Sequence, residues 1–102
     1  MYDFPLAGAQ KSKLRGIGQT LEPALKLGKS GLTRDFFLEL QRLLNTHELV
    51  KLRLLEKDRD VRAELCERIA DEGRCLCVGA VGSTALFFRR QEDPAKQRVV
   101  IG

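Results

Sequence analysis

Apolar positions change period several times along the chain, and each change marks an element. From 48 to 54 the residues alternate, with Val50, Leu52 and Leu54 on one side and Lys51 and Arg53 on the other. That pattern predicts a half-buried strand with a basic outer face. Upstream of it, Phe36, Leu40, Leu43 and Leu44 recur at helical spacing, so Thr33 reads as the N-cap of a helix running to about residue 47. Val61, Leu65, Cys66, Ile69 and Ala70 form a second stripe, predicting a helix from 58–60 to 71 or 72 with Gly73 as its stop signal. Residues 23–27 are short, alternate around Lys26 and follow a proline, which predicts a strand. Residues 10–16 predict a short helix with Leu14 and Ile17 on one side and Lys11 and Arg15 on another, weakened by its glycines. After Gly73, residues 74–81 are apolar on both faces, and Gly82-Ser83 turns them into 84–90, a hairpin with a two-residue turn. Residues 91–98 are polar, contain Pro94 and read as a loose tail; residues 99–101 add a short edge strand or trail off.

The resulting order is helix, strand, helix, strand, helix, strand, strand (α-β-α-β-α-β-β). It places the chain in the α/β class, with three helices and a mixed four-stranded sheet. A length of 102 residues supports one domain, and 43% hydrophobic with 31% charged residues is the composition of an ordinary globule. No stretch approaches the ~20 apolar residues of a membrane span, and residues 1–7 lack the basic start and long apolar run of a signal peptide. A cytoplasmic protein without a membrane partner is expected.

Net charge is +4 and the pI near 9.2, which favours a polyanionic partner without establishing one. Its distribution is more informative. Lys11, Lys13, Arg15, Lys26 and Lys29 all precede the first long helix, and only Asp3 and Glu22 oppose them before Asp35. This basic third of the chain leads into Leu27-Gly28-Lys29-Ser30-Gly31-Leu32-Thr33, a loop between a strand and a helix. Glycines there permit positive φ and put no Cβ between backbone and ligand. The helix behind them offers unpaired N–H groups and the positive end of its dipole, a combination that attracts phosphate.

Other chemistry fits less well. Gly28-Lys29-Ser30 imitates the end of a nucleotide-binding P-loop, yet the place of its first glycine holds Pro23, and no strand ends in an aspartate suited to magnesium. Ser30 is the one nucleophile beside the loop, and nothing brings a His–Asp pair to it, so no catalytic residue is expected. Three cysteines and one histidine do not make a zinc pattern. Cys66, Cys75 and Cys77 read as buried reduced thiols, and His47 as a helix-end residue. No metal or cofactor is expected. A KH domain also uses a GxxG loop, but between two helices. Aromatic residues are only 6% of the chain, and Phe36, Phe37, Phe87 and Phe88 lie in core-like patterns, so phosphate contacts rather than base stacking are the expected mode.

The ordered set Leu14-Arg15-Gly16, Leu21-Glu22-Pro23, Gly28-Lys29-Ser30-Gly31-Leu32-Thr33, His47-Glu48-Leu49-Val50-Lys51 and Phe87-Phe88-Arg89 resembles the stand-alone bacterial YhbY-type proteins of the CRS1–YhbY, or CRM, domain family. The likeness runs from about residue 6 to 90, leaving 91–102 as a C-terminal tail of the single domain. It implies a fold similar to the C-terminal domain of bacterial translation initiation factor three. It also implies an RNA-binding module with its GxxG loop facing the RNA, associated with precursors of the large ribosomal subunit.

The combined reading is an RNA-binding protein, not an enzyme, with no small-molecule substrate and a monomeric state favoured. The candidate RNA-binding residues are Gly28, Lys29, Ser30 and Gly31, with Lys26, Lys11, Lys13, Arg15, Arg34, Lys51, Arg53 and Arg89 as the basic surround. Lys51 and Arg53 are either a solvated strand face or part of that surface, and at most one of Arg89 and Arg90 extends it. The alternatives are a small enzyme binding a phosphorylated compound or nucleotide, and a basic adaptor for an acidic protein.

Overall fold

The computed structural model describes residues 2–101; Met1 and Gly102, the two ends of the expected domain, lie outside the described residues. In chain order the elements are α1 (Gly8–Gly18), β1 (Leu25–Leu27), α2 (Arg34–His47), β2 (Leu49–Leu54), α3 (Arg59–Gly73), β3 (Leu76–Val81) and β4 (Thr84–Phe88), then one 3₁₀ turn, Pro94–Lys96. The strands form one mixed sheet in the order β1-β2-β4-β3. β1 is parallel to β2, with α2 as the crossover, and β4 is antiparallel to both its neighbours. Parallel pairing brings the C-terminal ends of β1 and β2 to one edge of the sheet. The β3–β4 turn reaches the same edge, where Leu54 N–H donates to the Ser83 carbonyl at 2.7 Å.

Two separate clusters cover the two faces of this sheet. Leu27, Val50, Leu52, Leu54, Ala85 and Phe87 pack under α2 and α3 through Phe36, Leu40, Leu44, Cys66 and Ile69. On the opposite face Leu49, Val78, Leu86 and Phe88 pack with Leu14 of α1 and Ile101 of the tail. A bulge between Cys77 and Gly79 shifts the register of β3, and Val78 is buried on the α1 side. Alternation along β2 therefore predicts burial correctly for Val50, Leu52 and Leu54, whereas Leu49 belongs to the second cluster.

Several boundaries differ from the sequence expectation, each for a tertiary reason. α1 extends two residues beyond 10–16 at each end, because Gln10 Oε1 accepts the Ala7 N–H at 2.9 Å and Lys51 Nζ donates to the carbonyls of Gly18 at 3.2 Å and Leu21 at 3.1 Å. The glycine at 18 strengthens the packing: a Cβ there would lie 2.2 Å from Leu86 Cδ1. Gly73 is the last helical residue of α3 rather than its stop, and a Cβ on it would lie 2.9 Å from Leu40 Cδ2. The left-handed residue is Arg74, with φ 55°. β3 consequently starts at Leu76.

The expected loose tail is fastened. Glu48 is fully buried at φ 65°. Its Oε1 accepts from Arg98 N–H at 2.6 Å, Val99 N–H at 3.0 Å and the Arg90 guanidinium at 3.3 Å, and its Oε2 accepts from Gln91 N–H at 2.7 Å. Residues 99–101 form no strand, yet Ile101 is buried and Val99 packs beside it.

Candidate nucleic-acid interface

β1 ends at Leu27 and the chain turns at once over residues 28–31. Gly31 N–H donates to the Gly28 carbonyl at 3.1 Å, and Thr33 N–H donates to the Gly31 carbonyl at 3.0 Å. Thr33 Oγ1 then accepts the Phe36 N–H at 3.1 Å, capping α2 as its sequence predicts. The amides of Arg34 and Asp35 have no acceptor within the helix. Asp35 also places a carboxylate in that first turn, opposing an incoming anion.

The two glycines differ in what they require. Gly31 sits at φ +73°, where a side chain is strained, and the space about it is open. Gly28 has no such φ, and a Cβ there would meet only Leu55 Cδ1, at an ordinary 3.7 Å. Neither backbone conformation nor internal packing explains a glycine at 28. Gly28, Lys29 and Ser30 are all exposed.

Register decides which cations join the loop. Lys26 pairs with Arg53, Arg53 with Thr84, and Thr84 with Val81, a row across all four strands. Because Leu25 and Leu27 flank Lys26 on the α2–α3 side, the row lies on the other face, where α1 leaves it uncovered: Lys26, Arg53 and Val81 are exposed. Lys26, Lys29, Arg53 and the exposed Arg34 thus surround the loop at one corner of the sheet. Lys11 and Lys13 are exposed on α1.

Three other candidate cations are hydrogen-bonded to the fold, Lys51 and Arg89 half-buried and Arg15 exposed. Lys51 holds the C-terminal end of α1 through the bonds described above. Arg15 donates to the Val78 carbonyl at 3.0 Å, and its stem fills the space a Cβ on Gly79 would need. Arg89 lies at the far end of the sheet, where its guanidinium donates to Gln41 Oε1 at 2.6 Å, Asn45 Oδ1 at 2.8 Å and the Gly73 carbonyl at 3.2 Å. β2 separates that end from the loop by roughly 17 Å, at ~3.3 Å per residue. The expectation that Arg89 joins the loop surface is corrected by this placement.

Residues 55–62, which lead into α3, lie beside the loop, since Leu55 N–H donates to the Leu27 carbonyl at 3.0 Å. Arg59 and Arg62 line a groove of about 610 Å³ there, between α3 and the β3–β4 turn. Arg62 also donates to the carbonyls of Glu56 and Lys57, which shapes this segment. The available signal was topological: parallel strands joined by a helix send both following loops to the same edge. A cavity of about 840 Å³ at the opposite end is lined by Arg74, Arg89 and Arg90 together with Asp3, Glu92 and Asp93. Among the described residues no three His, Cys, Asp or Glu side chains gather in a metal-binding group, and no helix is long and apolar enough to cross a membrane.

Fold and site together define a small α/β module with a Gly-x-x-Gly loop and a basic sheet corner. The chain belongs to the CRS1/YhbY (CRM) domain family, whose profile matches residues 6–89. It is 36% identical over 91 residues to a probable RNA-binding protein of Pseudomonas aeruginosa, covering 89% of this chain and 88% of that one. To an RNA-binding protein of Haemophilus influenzae it is 31% identical over 88 residues, covering 86% and 89% respectively. The fold is similar to the solution structure of a hypothetical Staphylococcus aureus protein proposed to bind RNA, with a TM-score of 0.79, 25% identity, and coverage of 94% of this chain and all of that one.

Proposed function

We propose that this chain binds RNA through the 28–31 loop and the cations around it, without catalysing a reaction. The observation that carries the reading is Gly28, a glycine that neither φ nor packing demands, beside exposed Lys29. A backbone bare on its outer side lets a phosphate approach the loop amides, and Lys26, Lys29, Arg34 and Arg53 add positive charge within reach of neighbouring phosphates. Family membership and the names of the relatives support the same class of partner. The phenylalanines are buried or half-buried, so contact is with backbone and shape rather than stacked bases.

Gly28→Val tests this directly. A side chain at 28 has room in the fold, so stability should hold within about 0.5 kcal/mol, typical of surface changes. RNA affinity should fall by about tenfold or more, the equivalent of ~1.4 kcal/mol. Lys29→Ala should make the plot of log K against log salt shallower by roughly 0.7 for single strands or 0.9 for a duplex, one phosphate's share. Unchanged affinity and slope in both variants would remove the loop from the interface.

The particular partner proposed is a precursor of the large ribosomal subunit, met by a monomer in the cytoplasm. A loop that reads shape can occupy RNA exposed in an incomplete particle, and later folding displaces it. In sucrose gradients at low and moderate salt the protein should follow precursor particles. Signal confined to polysomes or to the soluble fraction would end the assembly role.

A further inference from the structure

The groove of about 610 Å³ between α3 and the β3–β4 turn combines two kinds of lining. Leu54, Ala63, Cys66 and Ala80 make much of it apolar, and Arg59 and Arg62 add two guanidinium groups. Arg59 is exposed and forms no ion pair among the described residues. Arg62 is half-buried and held in place, since its Nη1 donates to the carbonyls of Glu56 at 3.1 Å and Lys57 at 2.8 Å. Its Nε and Nη2 donors have no acceptor among the described residues. A guanidinium fixed along one edge in this way presents the other, planar edge to an oxyanion. Two of the nearby carboxylates are turned to their own backbone: Glu56 accepts the Asp58 N–H at 3.0 Å, and Asp58 accepts the amides of Asp60 at 2.9 Å and Val61 at 3.1 Å. Asp60 is the carboxylate of this turn that opposes an anion.

Groove and loop are continuous. Leu55 Cδ1 lies 3.7 Å from where a Cβ on Gly28 would stand, and the preceding Leu54 lines the groove. At 55% exposed, Leu55 forms an apolar ridge between the two.

We propose, resting on RNA binding through the loop, that this groove receives one unpaired nucleotide of the same RNA, so that the partner is a bulge or loop and not an uninterrupted duplex. Arg62 takes the phosphate of that nucleotide through its Nε–Nη2 edge, Arg59 adds charge beside it, and the base covers the apolar lining. A duplex offers phosphates alone, because its bases are stacked inside the helix, and leaves the apolar surface in water. An unstacked nucleotide supplies both an anion for the guanidinium and a flat face for Leu54 and the two alanines. The volume falls in the ~300–1,000 Å³ range of small-ligand sites, the size of a nucleotide rather than of a duplex. Among the described residues no aromatic ring or side-chain amide lines the groove, and Thr84 Oγ1 already donates to the Val81 carbonyl at 3.0 Å. The base is accommodated there more than it is read.

The test compares a blunt RNA duplex with the same duplex carrying one bulged nucleotide, by fluorescence anisotropy with the full chain. Wild type should bind the bulged RNA about tenfold more tightly or better. Ala63→Leu, at an exposed helix position, fills the groove without changing charge; it should cut that preference to about twofold or less and leave affinity for the plain duplex unchanged. Arg62→Lys keeps the charge and loses the fork, so it should weaken binding of the bulged RNA about fivefold more than binding of the duplex, with folding checked by circular dichroism. Gly28→Val should weaken both RNAs. Equal wild-type affinities for the two RNAs, or a full bulge preference in Ala63→Leu, would overturn the nucleotide site while leaving loop binding intact. Unchanged affinity of Gly28→Val for both RNAs would instead remove the loop, and with it the neighbouring phosphate that positions the nucleotide.

Discussion

Glu48→Ala should destabilise the protein more than any single loop substitution. The carboxylate is 0% exposed and receives three backbone N–H groups and one guanidinium. If the tail stayed in place after truncation, four donors would lose their acceptor, and breaking a buried ion pair from one side costs about 3–5 kcal/mol. If instead the tail peeled away, its donors would find water, but burial of Ile101 would be lost, worth roughly 1.5–3 kcal/mol, with a smaller share from Val99. The chain takes the cheaper route, so a loss of about 3 kcal/mol is expected. For a domain of this size each kcal/mol lowers Tm by roughly 4–8 °C, which gives a fall of at least ~12 °C. Urea denaturation followed by circular dichroism measures it, and hydrogen exchange should show the Arg98 and Val99 amides losing protection. Arg90→Met completes a double-mutant cycle, in which Glu48 and Arg90 should couple by about 1 kcal/mol or more. A loss below about 1 kcal/mol with protected tail amides would refute the clasp, as would strict additivity of its ion-pair component.

Two further outcomes test packing and titration. Gly16→Ala should stabilise by roughly 0.5–1 kcal/mol, since a Cβ there meets nothing within 4 Å, whereas Gly18→Ala should cost about 1–3 kcal/mol through its collision with Leu86; equal effects on urea midpoints would disprove the close approach of α1 to β4. Burial pushes the Cys75 thiol up to about 12 from an ordinary 9.0, so its contribution is full below pH 9 and is lost as pH rises toward 12, while the unfolded chain ionises first. The stability advantage of wild type over Cys75→Ala should shrink across that window by up to about 1.4 kcal/mol per pH unit, and parallel curves from pH 8 to 11 would contradict the burial effect.

Local pattern was sufficient for the elements because it is made of near neighbours. The stripe Phe36, Leu40, Leu43, Leu44 and the alternation of Val50, Leu52 and Leu54 state which side of each segment must leave water. Thr33 and Asp58 act as helix caps through amides two or three residues away, and Gly82 turns the hairpin at φ +57°. The 28–31 loop was legible for the same reason, as a break between a strand and a capped helix.

Relations between distant residues needed the folded chain. Only the parallel pairing of β1 with β2 sets Lys26 beside Arg53 and brings residues 55–62 to the loop. A cation read from sequence carries no statement of which carbonyls it will reach; Lys51, Arg15 and Arg89 meet carbonyls 30, 63 and 16 residues away, and these bonds hold each side chain in the fold. Alternation placed Glu48 at the start of a strand. Its left-handed backbone and its bonds to amides 43–51 residues away made it the anchor of the tail instead.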